Sequence, residues 1–242
     1  MRYPSEAEGR KMIADIGRRM YEKDFVAAND GNISLKIADD LVLATPTNVS
    51  KGYMTEDIMV LMRTDGMVLS QGSKPSSEIK MHLRIYQENP LAAAVCHAHP
   101  PVSTAYAIAG MPLDLAIYPE AVVNLGVVPC VHFEMPGSQG IPDSIAPYCR
   151  TYNAMLLANH GVVTWGRDLL EAWYRLESTE HYAMILRYLG YEPRLSGGLS
   201  RDQVQELITI REKAWGITTG GIPQGGDEPA NPVDRVGGEY NG

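Results

Sequence analysis

Met12, Ile13, Ile16 and Met20 recur at helical spacing with charges between them, which predicts an amphipathic helix over residues 5–23. The period then changes. "NDGNISLKI" (29–37) reads as a turn entering a strand, with Gly31 at the awkward backbone position, and "LVLATP" (41–46) as a short strand stopped by Pro46. "EDIMVLM" and "GMVLS" flank Thr64-Asp65-Gly66, a hairpin signal. Ser76 or Ser77 is placed to cap a helix covering Glu78 to Tyr86, and Pro90 lies just beyond its end.

The middle of the chain alternates. "LAAAVCHAHP" (91–100) predicts a strand, "VSTAYAIAG" (102–110) a short helix, and "AVVNLGVVPCVHF" (121–133) one or two strands. "PDSIAPYCRTYN" (142–153) predicts a helix interrupted by Pro147, and "AMLLANHGVVTWG" (154–166) two strands around a turn. Two longer helices follow, over 168–190 and 200–215. Strands and helices interleave, the strands are short, and no Gly-rich βαβ turn is present. The expectation is one α/β domain over 1–215 with a mixed or largely antiparallel sheet sandwiched by helices. From residue 216 to 242 the chain is rich in Gly, Pro and Asp, which predicts a flexible tail unless a neighbour orders it.

Composition narrows the function. The 242 residues are 45% hydrophobic and 21% charged, enough for a sizeable core, and the net charge is −8. No basic cluster is available to neutralise a phosphate backbone, so nucleic acid is excluded as a partner. No apolar run reaches the roughly 18–20 residues that span a bilayer, and the charged N-terminus has no secretory pattern. The three cysteines, Cys96, Cys130 and Cys149, lack paired spacing and fit reduced thiols in the cytoplasm.

One stretch departs from this ordinary picture. "VCHAHPP" (95–101) ends a buried strand on two imidazoles and two prolines. On a strand, His97 and His99 share a face and Cys96 takes the other. Two such rings can converge on one ion with metal–nitrogen distances of about 2.0–2.1 Å. His160, in "LLANHGVV", is a third imidazole at a turn between apolar strands, and three histidines suit zinc with a position left for water or substrate. Glu78, opening its helix after "KPSS", is a candidate fourth ligand, although a carboxylate is also favourable in any first helical turn. His82, His132 and His181 read as structural.

Five motifs, "GNIS" (31–34), "TPTN" (45–48), "KPSSE" (74–78), "HAHP" (97–100) and "NHG" (159–161), resemble in order and spacing those of the class II aldolase/adducin family, and most of all its L-fuculose-1-phosphate aldolases. The resemblance covers about residues 8–212. It implies a three-layer α/β/α fold with a central, mainly antiparallel sheet, and a homotetramer with active sites between subunits. It implies His97, His99 and His160 as zinc ligands, and Glu78 as a ligand that becomes a base once substrate displaces it. Asn32, Thr47, Asn48, Ser76 and Ser77 match positions that hold substrate phosphate. Asn48 departs from the pattern, because those aldolases have glycine there. Tyr118 matches the tyrosine that a neighbouring subunit offers as proton donor, and Glu120 is a carboxylate in the same stretch.

The implied reaction is metal-dependent cleavage of a ketose 1-phosphate, such as L-fuculose 1-phosphate, to dihydroxyacetone phosphate and an aldehyde. Manganese or cobalt would suit the three imidazoles as well as zinc. Decarboxylases share the scaffold. Epimerases of the family carry an aspartate where Val122 and Val123 stand, which argues against that reaction. An adducin-like assembly module would have no reason to keep all three histidines and Glu78 together.

Overall fold

A computed structural model of the protein describes residues 3–190 and 198–224. The chain opens with α1 (Glu6–Glu22), whose start is fixed by a capping box between Ser5 and Glu8. β1 (Asn32–Lys36), β2 (Leu41–Ala44) and β3 (Val60–Arg63) follow, then α2 (Ile79–Glu88), β4 (Ala94–Ala98) and α3 (Pro101–Ile108). Next come α4 (Pro119–Asn124), β5 (Cys130–Val131), α5 (Gly140–Ile145), β6 (Ala154–Leu157) and β7 (Gly161–Gly166). The long helix α6 (Leu169–Tyr188) is capped by Asp168, and α7 (Arg201–Trp215) by a box between Ser200 and Gln203. No helix among the described residues is long and apolar enough to cross a membrane.

The seven strands form one mixed sheet in the order β3-β2-β1-β4-β7-β6-β5. Every neighbouring pair is antiparallel except β5 with β6. Alternation along the strands feeds two cores. Ile33, Leu35, Leu43, Cys96, Ala98, Leu156 and Val162 face α1, α3 and α6 and pack with Ile13, Ile16, Met20, Trp173 and Leu176. Val42, Val95, Met155, Val163 and Trp165 face the other way, onto Met81 and Ile85 of α2 and Ile141 and Ile145 of α5. The result is the three-layer α/β/α arrangement expected from the sequence, with β4 near the middle of the sheet.

Two expectations need correction or refinement. Residues 121–133 predict one or two strands; the one strand found there is β5, and Pro119 to Asn124 form α4 instead. Pro119 sits in the first turn, where its missing N–H leaves no bond unmade. Val122 then buries with Ala116, Val204 and Ile208, so packing against α7 overrides the β preference of the valine pair. The tail from 216 is expected to be flexible unless a neighbour orders it, and over 216–224 the rest of the chain does so. Gly220 N–H donates to Thr151 O, Val127 N–H to Gly220 O, and Ala116 N–H to Gln224 O, at 2.6, 2.6 and 2.8 Å. The rest of that segment, 225–242, lies outside the described residues.

Candidate metal centre

Strand β4 ends where the site begins. His97 pairs with Asn32 on β1 and with Val163 on β7, so all three side chains project towards α2. Cys96 faces the opposite core, where burial pushes its thiol up and keeps it unreactive. Pro100 and Pro101 then end the strand and start α3.

Two glycines of the recognised motifs are there for space. Gly31 has φ +72°, and a Cβ on it would stand 2.8 Å from His97 O. Gly161 opens β7 so close to the end of β4 that a Cβ would lie 2.5 Å from both Ala98 O and His99 Cδ2. His160 is delivered by the turn before it, in which Asn159 takes a left-handed conformation at φ +56°.

The three imidazoles meet edge to edge. Their candidate ligand atoms all lie within 4.8 Å of one another. His97 Nδ1 is 2.9 Å from Val162 O, an acceptor only, so the proton is on Nδ1. His99 Nδ1 is 3.3 Å from Asp30 Oδ2, which fixes the same tautomer. The two Nε2 lone pairs therefore point at each other across 3.2 Å. Glu78 closes the set: Oε2 is 3.3 Å from His97 Nε2 and Oε1 is 3.2 Å from His160 Nε2.

This donor set fits a divalent ion. Ligand atoms about 2.0–2.1 Å from one ion at tetrahedral angles stand roughly 3.3–3.4 Å apart, close to the spacing found here. The facing lone pairs and Glu78 Oε1 are otherwise uncompensated acceptors in a largely buried site. The outer contacts, Val162 O on His97 and Asp30 on His99, are of the kind that orient ligating imidazoles. Burial alone would raise the Glu78 carboxyl, but His97 and His160 beside it hold it well below the usual carboxylate range. Burial alone would lower His97, and the Glu78 charge reverses this and leaves it raised. His99 is pushed down to about 4, by burial first and then by the other two imidazoles.

The expected phosphate residues fall into two groups. Thr47 and Asn48 lie on one loop, and Ser76 and Ser77 on another that leads into α2. Thr47 N–H donates to Lys74 O at 3.0 Å and Ser76 N–H to Thr45 O at 3.2 Å, which staples the loops side by side. Asn48 takes φ +60°, the left-handed turn that asparagine tolerates in place of glycine. Ser76 Oγ accepts from Glu78 N–H at 3.3 Å. Asn32 is placed differently: its Nδ2 donates to Glu78 Oε2 at 2.8 Å, so its amide orients the carboxylate.

Tyr118 lies elsewhere. It stacks edge-on against Tyr182, with centroids 6.0 Å apart, in a groove of about 840 Å³ that Lys23, Phe25, Glu120 and Glu177 also line. Burial, then the Glu120 charge, pushes its phenol up to about 12. Sequence reasoning missed Asp30 and the Val162 carbonyl. Asp30 carried a signal, sitting directly before the glycine of "DGNIS", whereas a backbone carbonyl carries none.

Comparison with known proteins agrees with the geometry. The family model "Class II Aldolase and Adducin N-terminal domain" matches residues 11–186. A 3-oxo-tetronate 4-phosphate decarboxylase of Pectobacterium atrosepticum is 32% identical over 207 residues, 84% of this chain and 94% of that protein. An L-fuculose phosphate aldolase of Methanocaldococcus jannaschii is 32% identical over 176 residues, 73% of this chain and 94% of that one. The crystal structure of YgbL from Escherichia coli superposes with a TM-score of 0.78 at 32% identity, covering 84% of this chain and 98% of that one.

Proposed function

The chain belongs to the class II aldolase and adducin family, and on that premise we propose that it is a metal-dependent carbon–carbon lyase acting on a phosphorylated sugar or sugar acid. The observation that carries the proposal is the convergence of His97, His99 and His160 with Glu78. These four would hold the ion, zinc on the chemistry of the donors. When bound, it supplies Lewis acidity to a ketone oxygen and to the negative charge that develops as the adjacent carbon–carbon bond breaks.

The remaining work falls to the protein. Thr47, Asn48, Ser76 and Ser77 offer neutral hydroxyl, amide and backbone donors, which together suit a phosphate. Glu78 is the base: it is only 11% exposed, and Asn32 aims it. Tyr118 is the proton donor, offered to a neighbouring copy in a homotetramer.

Our first reading is the aldolase. Glu78 takes the proton of the C4 hydroxyl of a ketose 1-phosphate, the C3–C4 bond breaks, and C3 is reprotonated. Dihydroxyacetone phosphate and an aldehyde result. The decarboxylase is a second reading, favoured by relatives at 32–34% identity that carry that name. A 3-oxo-tetronate 4-phosphate loses its carboxylate as carbon dioxide, C2 is protonated, and the fragment is again dihydroxyacetone phosphate. The two reactions share the three-carbon product and differ in whether a hydroxyl proton must first be removed.

A coupled assay for dihydroxyacetone phosphate on zinc-loaded protein tests both, with and without chelator. Chelator-sensitive release from L-fuculose 1-phosphate or a related ketose 1-phosphate is expected. Release only from the oxo-acid, with carbon dioxide, would replace the aldolase by the decarboxylase. No release from either would overturn the proposal.

A further inference from the structure

Lys51 is the one lysine among the described residues that is fully buried, at 1% exposure. Interior lysines are rare because the ammonium loses its hydration. Here Nζ donates to Asn29 O at 3.0 Å and to Val49 O at 2.6 Å. Those two carbonyls belong to different loops. Asn29 stands three residues before Asn32, in the loop that brings Asp30 to His99. Val49 directly follows Asn48, at the left-handed turn of the phosphate loop. Lys51 itself is fixed from behind by α1, where a Cβ on Gly17 would stand 2.8 Å from Lys51 O.

We propose that Lys51 is a positioning residue for the phosphate cradle: its buried ammonium ties the loop carrying Thr47 and Asn48 to the loop feeding Asn32 and so sets affinity for the phosphate group. A methionine or leucine would fill the same space without desolvating a charge, but would leave both carbonyls unpaired and the loops untied. The Asp30 carboxylate is the nearby negative charge that favours the ammonium, while burial brings the Lys51 pKa down to about 8. The inference rests on the reading of these loops as a phosphate site.

The test compares zinc-loaded wild type with Lys51→Met. Inorganic phosphate binding is read by calorimetry, metal by elemental analysis, and KM and kcat with the ketose 1-phosphate and its unphosphorylated parent. Lys51→Met is expected to keep its metal, to weaken phosphate roughly tenfold or more, and to raise KM for the phosphorylated substrate by a similar factor. Turnover of the unphosphorylated ketose should fall by a much smaller factor than the KM for the phosphorylated one rises. Lys51→Arg, which keeps charge and donors, should recover part of the affinity. Unchanged phosphate affinity in folded Lys51→Met would reduce the clamp to a stabilising contact, and parallel loss of metal would place its effect at His99 instead. Either outcome overturns the proposal. If Lys51→Met does not fold, Lys51→Gln, uncharged but with an amide donor, is measured in the same way. Wild type that binds phosphate yet cleaves no sugar phosphate would sink the proposed activity and leave this comparison standing. Wild type that binds metal and no phosphate would sink both.

Discussion

Asn32 and His97 are partners across the β1–β4 ladder, and both reach the same oxygen: Glu78 Oε2 lies 2.8 Å from Asn32 Nδ2 and 3.3 Å from His97 Nε2. A strand pairing thus sets the aim of a carboxylate that belongs to a helix. The register of β1 against β4 is part of the site.

Asn32→Ala should therefore act on metal more than on phosphate. Removing an oriented outer contact of this kind weakens metal binding roughly 10–100-fold. Competition with a chromogenic chelator measures it. A variant with wild-type metal affinity and a raised KM for the phosphorylated substrate alone would assign Asn32 to the proposed phosphate site instead.

Gly161→Ala should disrupt the centre sterically. Its Cβ would lie 2.5 Å from His99 Cδ2 and from the rigid Ala98 carbonyl. Overpacking of this kind costs about 1–3 kcal/mol, and His99 must turn away. Lower urea stability and loss of bound metal are the expected readouts. Full metal occupancy would show that the ring has room to move.

Glu180 supports the other side of β4. It is buried, and its carboxylate accepts from Val102 N–H, Ser103 N–H and Ser103 Oγ–H at 2.9, 2.7 and 2.6 Å. It caps α3 from α6, just after His99. Glu180→Ala leaves buried donors unpaired and should cost roughly 2–4 kcal/mol in chemical denaturation. A loss below about 0.5 kcal/mol would show the cap to be replaceable by water.

His82 makes acid stability testable. Ser34 Oγ is 2.7 Å from His82 Nδ1 and 2.7 Å from Tyr86 OH in the core below Glu78. Burial first, then the nearby His97 charge, pushes the imidazole down to about 3, against an ordinary 6.5. Between those values the unfolded chain takes up a proton that the native state refuses. Stability from keeping His82 neutral is complete above pH 6.5 and is lost as pH falls towards 3, by about 1.4 kcal/mol per pH unit at the steepest. The stability gap between wild type and His82→Gln, compared by urea unfolding after chelation, should narrow from pH 7 to pH 4.5. A gap constant with pH would refute a neutral native His82.

Much of this was readable in advance because local pattern and final environment agree. The α1 stripe, the helix over 200–215, the β6–β7 pair and the one-face placement of His97 and His99 follow from short-range rules. What failed was set by distant contacts. The Val122-Val123 pair looks like strand, and only α7 packing on α4 makes it helix. Residues 217–224 look unstructured, and contacts with residues distant in sequence, among them 114–116, 127, 151 and 153, order them. The recognised motifs supplied Glu78, yet the partners that orient the imidazoles, Asp30 and the Val162 carbonyl, required the folded chain.

The position of β4 between β1 and β7 also bears on folding fidelity. Its side chains alternate His97 with Cys96 and Ala98, so a slip of one residue in either ladder would turn the imidazoles towards α6 and give Glu78 a thiol or a methyl to face. The strands' apolar residues are similar on both faces and would tolerate the error. The proposed metal centre would not, because its candidate ligands come together only when both pairings and the β6–β7 turn are correct. In the proposed centre, metal occupancy would be a proofreading signal: chains that held the ion tightly would be those whose central strand had docked in the right frame.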